Sequence, residues 1–260
     1  MHEAVNHFRI AGDGFYSKKC NDFFKYNYKF KNNFLTPSCT AALEMTALLM
    51  NTKPGDEVIM PSFTFVSCAN AFVLRGATIR FIDSNCNEPN IDVSKIEALI
   101  NKNTKAIVAV HYAGIPCDMD ELIRIKKKYS LLLIEDCAHS IDSYYKNKPL
   151  GSFGDFSTFS FHDTKNITCG EGGLLVVNNK KYVKRAEIIR EKGTNRPAFF
   201  RGEIKKYSWV DIGSSYLLSD LSAAYLYGQL MNIKIIQSKR IKIFNRYLAI
   251  LNKYSKYFKK

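Results

Sequence analysis

FSTFSFHDTKN, residues 156–166, is the stretch that decides the fold of this chain. Aromatic and hydroxyl side chains alternate over its first half, which predicts a strand with two differently packed faces. Lys165 lies just beyond that strand, and the glycines of GEGG (170–173) then allow a tight turn before the apolar run LLVV (174–177). A lysine held among aromatic side chains at a strand end can lose its proton and form a Schiff base with a carbonyl. Lys165 is therefore the first catalytic candidate.

A second predicted strand, LLLIED (131–136), ends on carboxylates. An apolar run of this kind is typical of a buried parallel strand, and open α/β sheets bind their ligands at the carboxyl ends of such strands. A pyridinium nitrogen needs a carboxylate partner if its ring is to act as an electron sink. We therefore predict that Lys165 bonds to pyridoxal 5'-phosphate and that Asp136 contacts the ring nitrogen. The alternatives are a solvated loop charge for Lys165 and a helix N-cap for Asp136.

Two further segments offer groups for the rest of such a cofactor. PSCT (37–40) comes directly before AALEMTALLM (41–50), which is rich in strong helix formers. Its hydroxyls can cap the helix, and the free backbone N–H groups at the helix start can hold a phosphate. Phe65 precedes another predicted helix, 68–74, and could stack on a flat ring, although an isolated phenylalanine more often belongs to a core.

Composition indicates a globular protein of 260 residues, with 46% hydrophobic and 24% charged residues. No apolar run reaches the roughly 20 residues of a membrane span, and the N-terminus does not resemble a secretory signal. We therefore expect a cytoplasmic protein without a membrane partner. The seven cysteines are scattered without a Cys-x-x-Cys pair, which predicts free thiols and neither disulfides nor a metal site. The net charge of +14 could suit nucleic acid, but the lysines are spread without a binding motif, so no nucleic-acid partner is predicted.

Strands and helices alternate along the chain, which predicts a mostly parallel sheet covered by helices on both faces. We expect an N-terminal helical segment (1–33), a large α/β domain that binds pyridoxal phosphate (34–232), and a long helix that leads to a truncated C-terminal domain (233–260). The predicted strands are 57–60, 78–83, 105–111, 131–136, 156–161 and 174–177, and the predicted helices are 17–30, 41–50, 68–74, 92–100, 119–129, 180–192, one beginning near Ser219, and 233–258.

Four runs carry a resemblance to a known family. PSCTAALEM (37–45), PSFTFVS (61–67), EDCAH (135–139) and SFHDTKN (160–166) resemble the DegT-type sugar-nucleotide aminotransferases, which are pyridoxal-phosphate enzymes of the aspartate-aminotransferase fold. The resemblance covers nearly the whole chain. It implies the large domain of a type I pyridoxal-phosphate-dependent transferase, a mostly parallel mixed sheet between helices. It also implies a chain shortened at both ends, with the small C-terminal domain largely missing.

The family's residue roles carry over to matching positions. Lys165 would be the Schiff-base lysine that afterwards moves protons between the sugar carbon and the cofactor carbon. Asp136 would bind the pyridine nitrogen, and Phe65 would stack on the ring. His139 matches the position that contacts the ring-hydroxyl side of the cofactor, where an uncharged hydrogen bond suffices. The positions that match the phosphate site are Ser38, Cys39, Thr40 and Ser160.

Three more runs point to a particular group within this family. They are EKGTNR (191–196), FFRG (199–202) and DIGSSYL (211–217). They are similar to the members that make dTDP-4-amino-4,6-dideoxygalactose for enterobacterial common antigen. The implied reaction moves the amine of L-glutamate to the C4 ketone of dTDP-4-dehydro-6-deoxyglucose, in a homodimer with the active site between the subunits. The alternatives are a transaminase for a 3-keto sugar nucleotide, and an inactive remnant or binding module.

Overall fold

A seven-stranded mixed sheet forms the centre of the molecule. The computed structural model describes residues 2–7, 10–254 and 257. The strands, in chain order, are β1 Asn33–Thr36, β2 Glu57–Pro61, β3 Thr78–Ile82, β4 Thr104–Val110, β5 Leu132–Asp136, β6 Tyr144–Tyr145, β7 Lys148–Pro149, β8 Phe156–Ser160 and β9 Gly173–Val177.

The strand order across the sheet is β1-β9-β8-β5-β4-β2-β3, and β6 and β7 form a separate hairpin. The pairs from β8 through β5, β4 and β2 to β3 are all parallel, whereas β9 is antiparallel to both of its neighbours. The carboxyl ends of β2, β4, β5 and β8 therefore meet along one edge of the sheet. This confirms the predicted mostly parallel mixed sheet.

Helices cover both faces of this sheet. The apolar residues of β2, β4 and β5 alternate between the two sides, so that Val58 and Met60 face one helix layer and Ile59 faces the other. α3, α4 and α6 form the first layer, and α2, α5 and α8 form the second. The helices are α1 His2–Asn6, α2 Phe15–Tyr28, α3 Cys39–Leu49, α4 Val66–Val73, α5 Met119–Tyr129, α6 Val183–Arg190, α7 Arg196–Phe200, α8 Asp220–Met231 and α9 Ile233–Asn252.

A buried carboxylate links α8 to α2 within the second helix layer. Asp220, at the start of α8, accepts hydrogen bonds from the backbone N–H groups of Tyr16 and Ser17 and from the Ser17 hydroxyl. These N–H groups belong to the first turn of α2, where an α-helix leaves its donors without partners. Ser219 caps α8 by accepting from the N–H of Ser222, at the point where the sequence predicts that a helix begins. α2 thus packs onto the sheet through its apolar residues. The predicted boundaries of the segment 1–33 and of the 34–232 domain stay a prediction.

Most predicted elements are confirmed with small shifts at their ends, but the helix predicted over 92–100 is wrong. Two short 3-10 turns, Val93–Lys95 and Glu97–Leu99, take its place. Asp92 accepts from both the N–H and the hydroxyl of Ser94, which closes a tight turn instead of starting a helix. The helix predicted over 180–192 is also shorter than expected, because Asn179 caps a 3-10 turn before α6 begins.

β1 and the β6–β7 hairpin carry no sequence prediction. The long C-terminal helix is confirmed as α9, which ends at Asn252; its predicted last residue, Phe258, lies outside the described residues. No helix in the described part of the chain combines the length and apolar character that crossing a membrane would need. The cysteines are free thiols, as predicted, and all but Cys39 and Cys86 are buried.

Candidate active site

A cavity of about 560 Å3 opens at the carboxyl edge of the sheet, between the ends of β2, β4, β5 and β8 and the start of α3. Loops that leave parallel strands converge at such an edge, which is why ligand sites form there. The cavity brings together every candidate that the sequence singled out. They are Ser38, Cys39, Thr40, Phe65, Asp136, His139, Ser160 and Lys165.

Asp136 lies at the floor of the cavity as the last residue of β5, between β4 and β8. Its side chain is buried, and one carboxylate oxygen accepts a hydrogen bond of 3.0 Å from the N–H of Ala138. Burial raises the pKa of Asp136, and the Ala138 N–H, together with nearby basic groups such as Lys165, only partly opposes that rise. A positive group beside Asp136 would therefore be favoured, since it would relieve the cost of the buried charge.

Two thiols and two hydroxyls surround Asp136. Burial, and secondly the charge of Asp136, raise the pKa of the Cys39 and Cys68 thiols, so both stay protonated. The buried hydroxyls of Thr64 and Thr158 face these thiols, Thr64 that of Cys68 and Thr158 that of Cys39. A thiol is only a weak hydrogen-bonding partner, so the groups around Asp136 satisfy one another incompletely.

The start of α3 forms one end of the cavity. Ser38 is the N-cap, and its hydroxyl accepts from the N–H of Ala41 at 3.0 Å. The N–H groups of Cys39 and Thr40 have no acceptor in the described part of the chain. β9 begins so close to this turn that a Cβ on Gly173 would lie 2.4 Å from the Ser38 carbonyl carbon. Free N–H groups at a helix start attract an anion, so this end suits a phosphate.

His139 forms part of the cavity wall, and a hydrogen bond defines the tautomer of its ring. Its Nδ1 accepts a 3.2 Å hydrogen bond from the N–H of Ala113, so the ring proton is on Nε2. Burial lowers the pKa of His139, and the charge of Lys165 lowers it further. The ring packs edge-on against Tyr112, which in turn contacts Phe63 at a centroid distance of 4.6 Å. His139 can therefore donate an uncharged hydrogen bond from a fixed ring.

Lys165 lies in the turn that follows β8, where its backbone N–H donates to the carbonyl of His162 at 3.0 Å. The side chain is half-buried in the cavity wall. Among the described residues its Nζ has neither a hydrogen bond nor an ion pair, although its charge acts on Asp136, His139 and Cys39. An unpaired amine beside a buried carboxylate is available to bond to a ligand.

The aromatic candidate, Phe65, lines the cavity but is 74% exposed, because it is the residue just before α4. Several lining residues were missed by the sequence reasoning, and most follow the end of a parallel strand. Most of these residues could have been found by looking just beyond each predicted strand. Tyr112 follows β4 closely, just as Asp136 lies at the end of β5. The missed residues are Phe63, Thr64, Ser67, Tyr112, His162 and Glu171.

Glu135 points to the opposite face of β5 from Asp136 and belongs to a closed network. His111 accepts from the N–H of Cys117 through Nδ1, so its Nε2 donates to Glu135 at 3.1 Å. The same carboxylate accepts from the backbone N–H groups of residues 151, 153 and 154. His111, Glu135 and Cys137 place ligand atoms within 4.8 Å of one another. The hydrogen bonds that His111 and Glu135 accept from the surrounding backbone show that these two side chains brace the strand end.

The DegT/DnrJ/EryC1/StrS aminotransferase family matches residues 8–259 of this sequence. The chain belongs to this family. It is 38% identical to an uncharacterised protein of Methanocaldococcus jannaschii over 213 residues, which are 81% of this chain and 55% of that protein. It is 34% identical to the GDP-perosamine synthase of Escherichia coli O157:H7 over 253 residues, or 97% of this chain and 67% of the synthase. The chain therefore spans about half to two thirds of the length of these relatives.

The fold of this family member is also found in solved structures. NtdA from Bacillus subtilis, whose structure contains its cofactor PMP, superposes with a TM-score of 0.88 and is 26% identical in sequence. The match covers 98% of this chain and 56% of NtdA. The sheet and the helix layers described above are thus shared with a solved structure that contains PMP, which confirms the predicted fold class.

Proposed function

We propose that this chain binds pyridoxal 5'-phosphate in the cavity at the carboxyl edge of the sheet and takes part in sugar-nucleotide transamination. The amine of L-glutamate would pass to the C4 ketone of dTDP-4-dehydro-6-deoxyglucose, giving dTDP-4-amino-4,6-dideoxygalactose for a cell-surface polysaccharide such as O-antigen or enterobacterial common antigen. The observation that carries this proposal is the convergence of Lys165, Asp136 and the free helix start of α3 on one cavity.

The residues present fit the cofactor at both of its ends. Its phosphate would take the free N–H groups of Cys39 and Thr40, with the hydroxyls of Ser38 and Ser160 as further donors. Asp136 would accept the N–H of the pyridine ring, a cation that offsets the burial of its carboxylate. Once bound, the ring supplies an electron sink for the bonds at the amine-bearing carbon.

The remaining roles follow from the geometry around that ring. Lys165 would hold the cofactor through Nζ and, when released, move a proton at Nζ between the substrate carbon and the cofactor carbon. His139 would donate from Nε2 to the ring-hydroxyl side while staying neutral. Phe65 would cover one face of the ring, and its exposure leaves that contact to be completed by the ligand. These assignments share one requirement, a cofactor seated between α3 and β8.

We also propose a homodimer that completes the site at its interface. Large apolar side chains are exposed beside the cavity, with Phe63 at 48%, Phe65 at 74% and Val66 at 63%. An apolar patch of this kind at the mouth of a site is a common mark of a protein–protein contact. Sedimentation of the cofactor-loaded protein tests it, and a purely monomeric species would argue against a shared active site.

An absorbance spectrum of the purified chain with pyridoxal phosphate is the direct test. We expect a band from the protein-bound cofactor, and a shift to the pyridoxamine form when L-glutamate is added. A folded protein with no band would refute cofactor binding and favour the alternative of a binding module. If the band does not change when L-glutamate is added, the chain binds the cofactor but does not use the proposed amino donor.

Product analysis tests the sugar. Incubation with dTDP-4-dehydro-6-deoxyglucose should place the amine at C4, and an amine at C3 of a 3-keto substrate would support the alternative transaminase. Because one relative is a GDP-perosamine synthase, the matching GDP-linked keto sugar is the proper competitor. A clear preference for the GDP sugar would overturn the dTDP assignment without affecting the cofactor site.

A further inference from the structure

A second cavity of about 340 Å3 adjoins the first. The two share Tyr112, His139, Ser160, Thr164 and Lys165, so that anything bound in the second cavity lies next to the amine of Lys165. The wall that belongs only to the second cavity includes Asn166 and, from α9, Arg240. A residue far along the chain thus reaches the mouth of the candidate active site.

The position of Arg240 is fixed by the part of α9 that precedes it. Ile233 is buried, Ile236 packs against the core under α8, and the amide of Gln237 donates to the carbonyl of Ile141 at 3.4 Å. Residues three and four apart lie on one face of a helix, so this anchored face continues directly to Arg240. Ile141 itself lines the second cavity. The packing of the preceding turns therefore places Arg240 at the cavity, where its exposed side chain forms part of the wall.

The charges around the second cavity favour an anion. Lys165 and Arg240 are the cations in its wall, and none of the described residues that line it is acidic. Arg240 has no hydrogen bond or ion pair within the described part of the chain, although α9 itself carries several other basic residues. An arginine presents a planar fork that matches a carboxylate with two parallel hydrogen bonds. A small oxyanion is thus the ligand that the cavity can hold.

We propose that Arg240 binds a carboxylate of the amino donor and so selects a dicarboxylic amino acid such as L-glutamate, an inference that rests on the proposed function. The carboxylates of such a donor are only a few bonds from the amine that must reach the neighbourhood of Lys165. The diphosphate of a sugar nucleotide is attached at C1, across the sugar ring from C4, and carries a nucleoside beyond it. A cavity that shares its wall with Lys165 therefore fits the donor better than the diphosphate.

The test measures binding of glutarate, a dicarboxylate without an amine that cannot react. Isothermal titration of the cofactor-loaded protein compares wild type with Arg240→Gln, Arg240→Lys and the control Lys242→Gln. The control removes the same charge from an exposed position of α9 that does not line the cavity. We expect Arg240→Gln to bind glutarate about 10 to 100 times more weakly, the loss typical of a charge-assisted hydrogen bond. Arg240→Lys should fall between, and Lys242→Gln should match wild type.

Three results would overturn the inference. Unchanged glutarate affinity in Arg240→Gln would show that Arg240 does not contact the dicarboxylate. Equal losses of affinity in Arg240→Gln and Lys242→Gln would show that only the net positive charge of α9 matters. Weaker dTDP binding with normal glutarate binding would assign Arg240 to the nucleotide instead. The same titration on cofactor-free protein separates this inference from the proposed function: a loss confined to Arg240 supports the anion site even if L-glutamate never converts the cofactor.

Discussion

Glu135 and Asp136 are neighbouring buried carboxylates on β5, yet they face opposite sides of the sheet and meet opposite surroundings. Burial alone would raise the pKa of Glu135, but His111 and the N–H groups of Gly154 and Gly151 bring it below its ordinary value. Burial leaves the pKa of Asp136 raised, since only the Ala138 N–H and more distant charges oppose it. The fold stabilises the charged form of Glu135, whereas burial of the charged form of Asp136 costs free energy.

The difference extends to the two regions that these carboxylates occupy. On the closed side, the oxygens of Glu135 are used by His111, by three backbone N–H groups and by the Ser157 hydroxyl. On the open side, the Thr64 and Thr158 hydroxyls face only the thiols of Cys68 and Cys39, which are weak hydrogen-bonding partners. A filled hydrogen-bond network supports structure, whereas buried groups with spare capacity are available to a ligand. Substitutions in the two regions should therefore damage different properties.

The largest effect is expected for Lys165→Ala on the open side. Cofactor conversion by L-glutamate should fall about a thousandfold or more, since proton transfer by a positioned group alone contributes about 100 to 10,000-fold. The free energy of unfolding of the cofactor-free protein should hardly change, because Lys165 has no ion pair to lose. Rapid absorbance measurements check the loss of cofactor conversion, and urea unfolding checks the unchanged free energy of unfolding.

The exposed Lys180 provides the matched control. Lys180→Ala should leave both cofactor absorbance and conversion at wild-type values. If Lys165→Ala kept the absorbance band of the bound cofactor and its response to L-glutamate, the catalytic assignment of Lys165 would fall.

On the closed side, Glu135→Gln should reduce stability by about 3 kcal/mol, in the range for breaking a buried charged network. The amide nitrogen of Gln would face donors from the backbone of residues 151, 153 and 154, and two donors cannot pair. Asp136→Asn keeps an oxygen for the Ala138 N–H and removes a buried charge, so its stability should match or exceed wild type while cofactor affinity falls. Equal destabilisation by both substitutions in urea unfolding would contradict the division into two regions.

Much of the fold could be predicted because buried parallel strands and amphipathic helices leave a local pattern. α5 was predicted at its observed bounds, and β5 within one residue, from apolar runs and flanking polar residues. β1 could not be predicted in this way, since it has four residues and exists through pairing with β9, about 140 residues later along the chain. The 92–100 segment failed for a similar reason: Glu97 is held by Arg124 and Lys128 of α5, and such contacts override local propensity.

The candidate site was predictable where chemistry and strand ends coincide. Asp136 and Lys165 could be found because each follows an apolar strand and each carries the group a pyridine cofactor requires. Tyr112 also follows a predicted strand and could have been found by the same rule, whereas Glu171 could not, since a glutamate among glycines has many ordinary roles. Arg240 has no local signal at all, because only the packing of Ile233 and Ile236 brings α9 to the cavity.

A smaller effect tests how tightly the open side is built. Gly173→Ala places a Cβ 2.4 Å from the Ser38 carbonyl carbon, which must push the start of α3 away from β9. We expect a stability loss of about 1 to 3 kcal/mol, as for other overpacked sites, together with weaker binding of pyridoxal phosphate. Gly228→Ala is the control, since a Cβ there meets nothing within 4 Å; in a helix it should stabilise by about 0.5 to 1 kcal/mol. Unaltered cofactor affinity in Gly173→Ala would remove the phosphate site from the start of α3.

The smallest effect, and the sharpest contrast, is the response of the two carboxylates to pH. Because the pKa of Glu135 lies below its ordinary 4.5 in the folded protein, its contribution is complete above 4.5 and is lost as the pH falls through the lowered value. Because the pKa of Asp136 lies above 3.8, its unfavourable contribution develops as the pH rises from 3.8 through the raised value. Urea unfolding over a series of pH values should therefore show the deficit of Glu135→Gln shrinking in acid, while Asp136→Asn gains on wild type towards neutral pH. Parallel curves for the two variants would mean that both carboxylates serve the fold alike, and the open side would lose its claim to be a binding site.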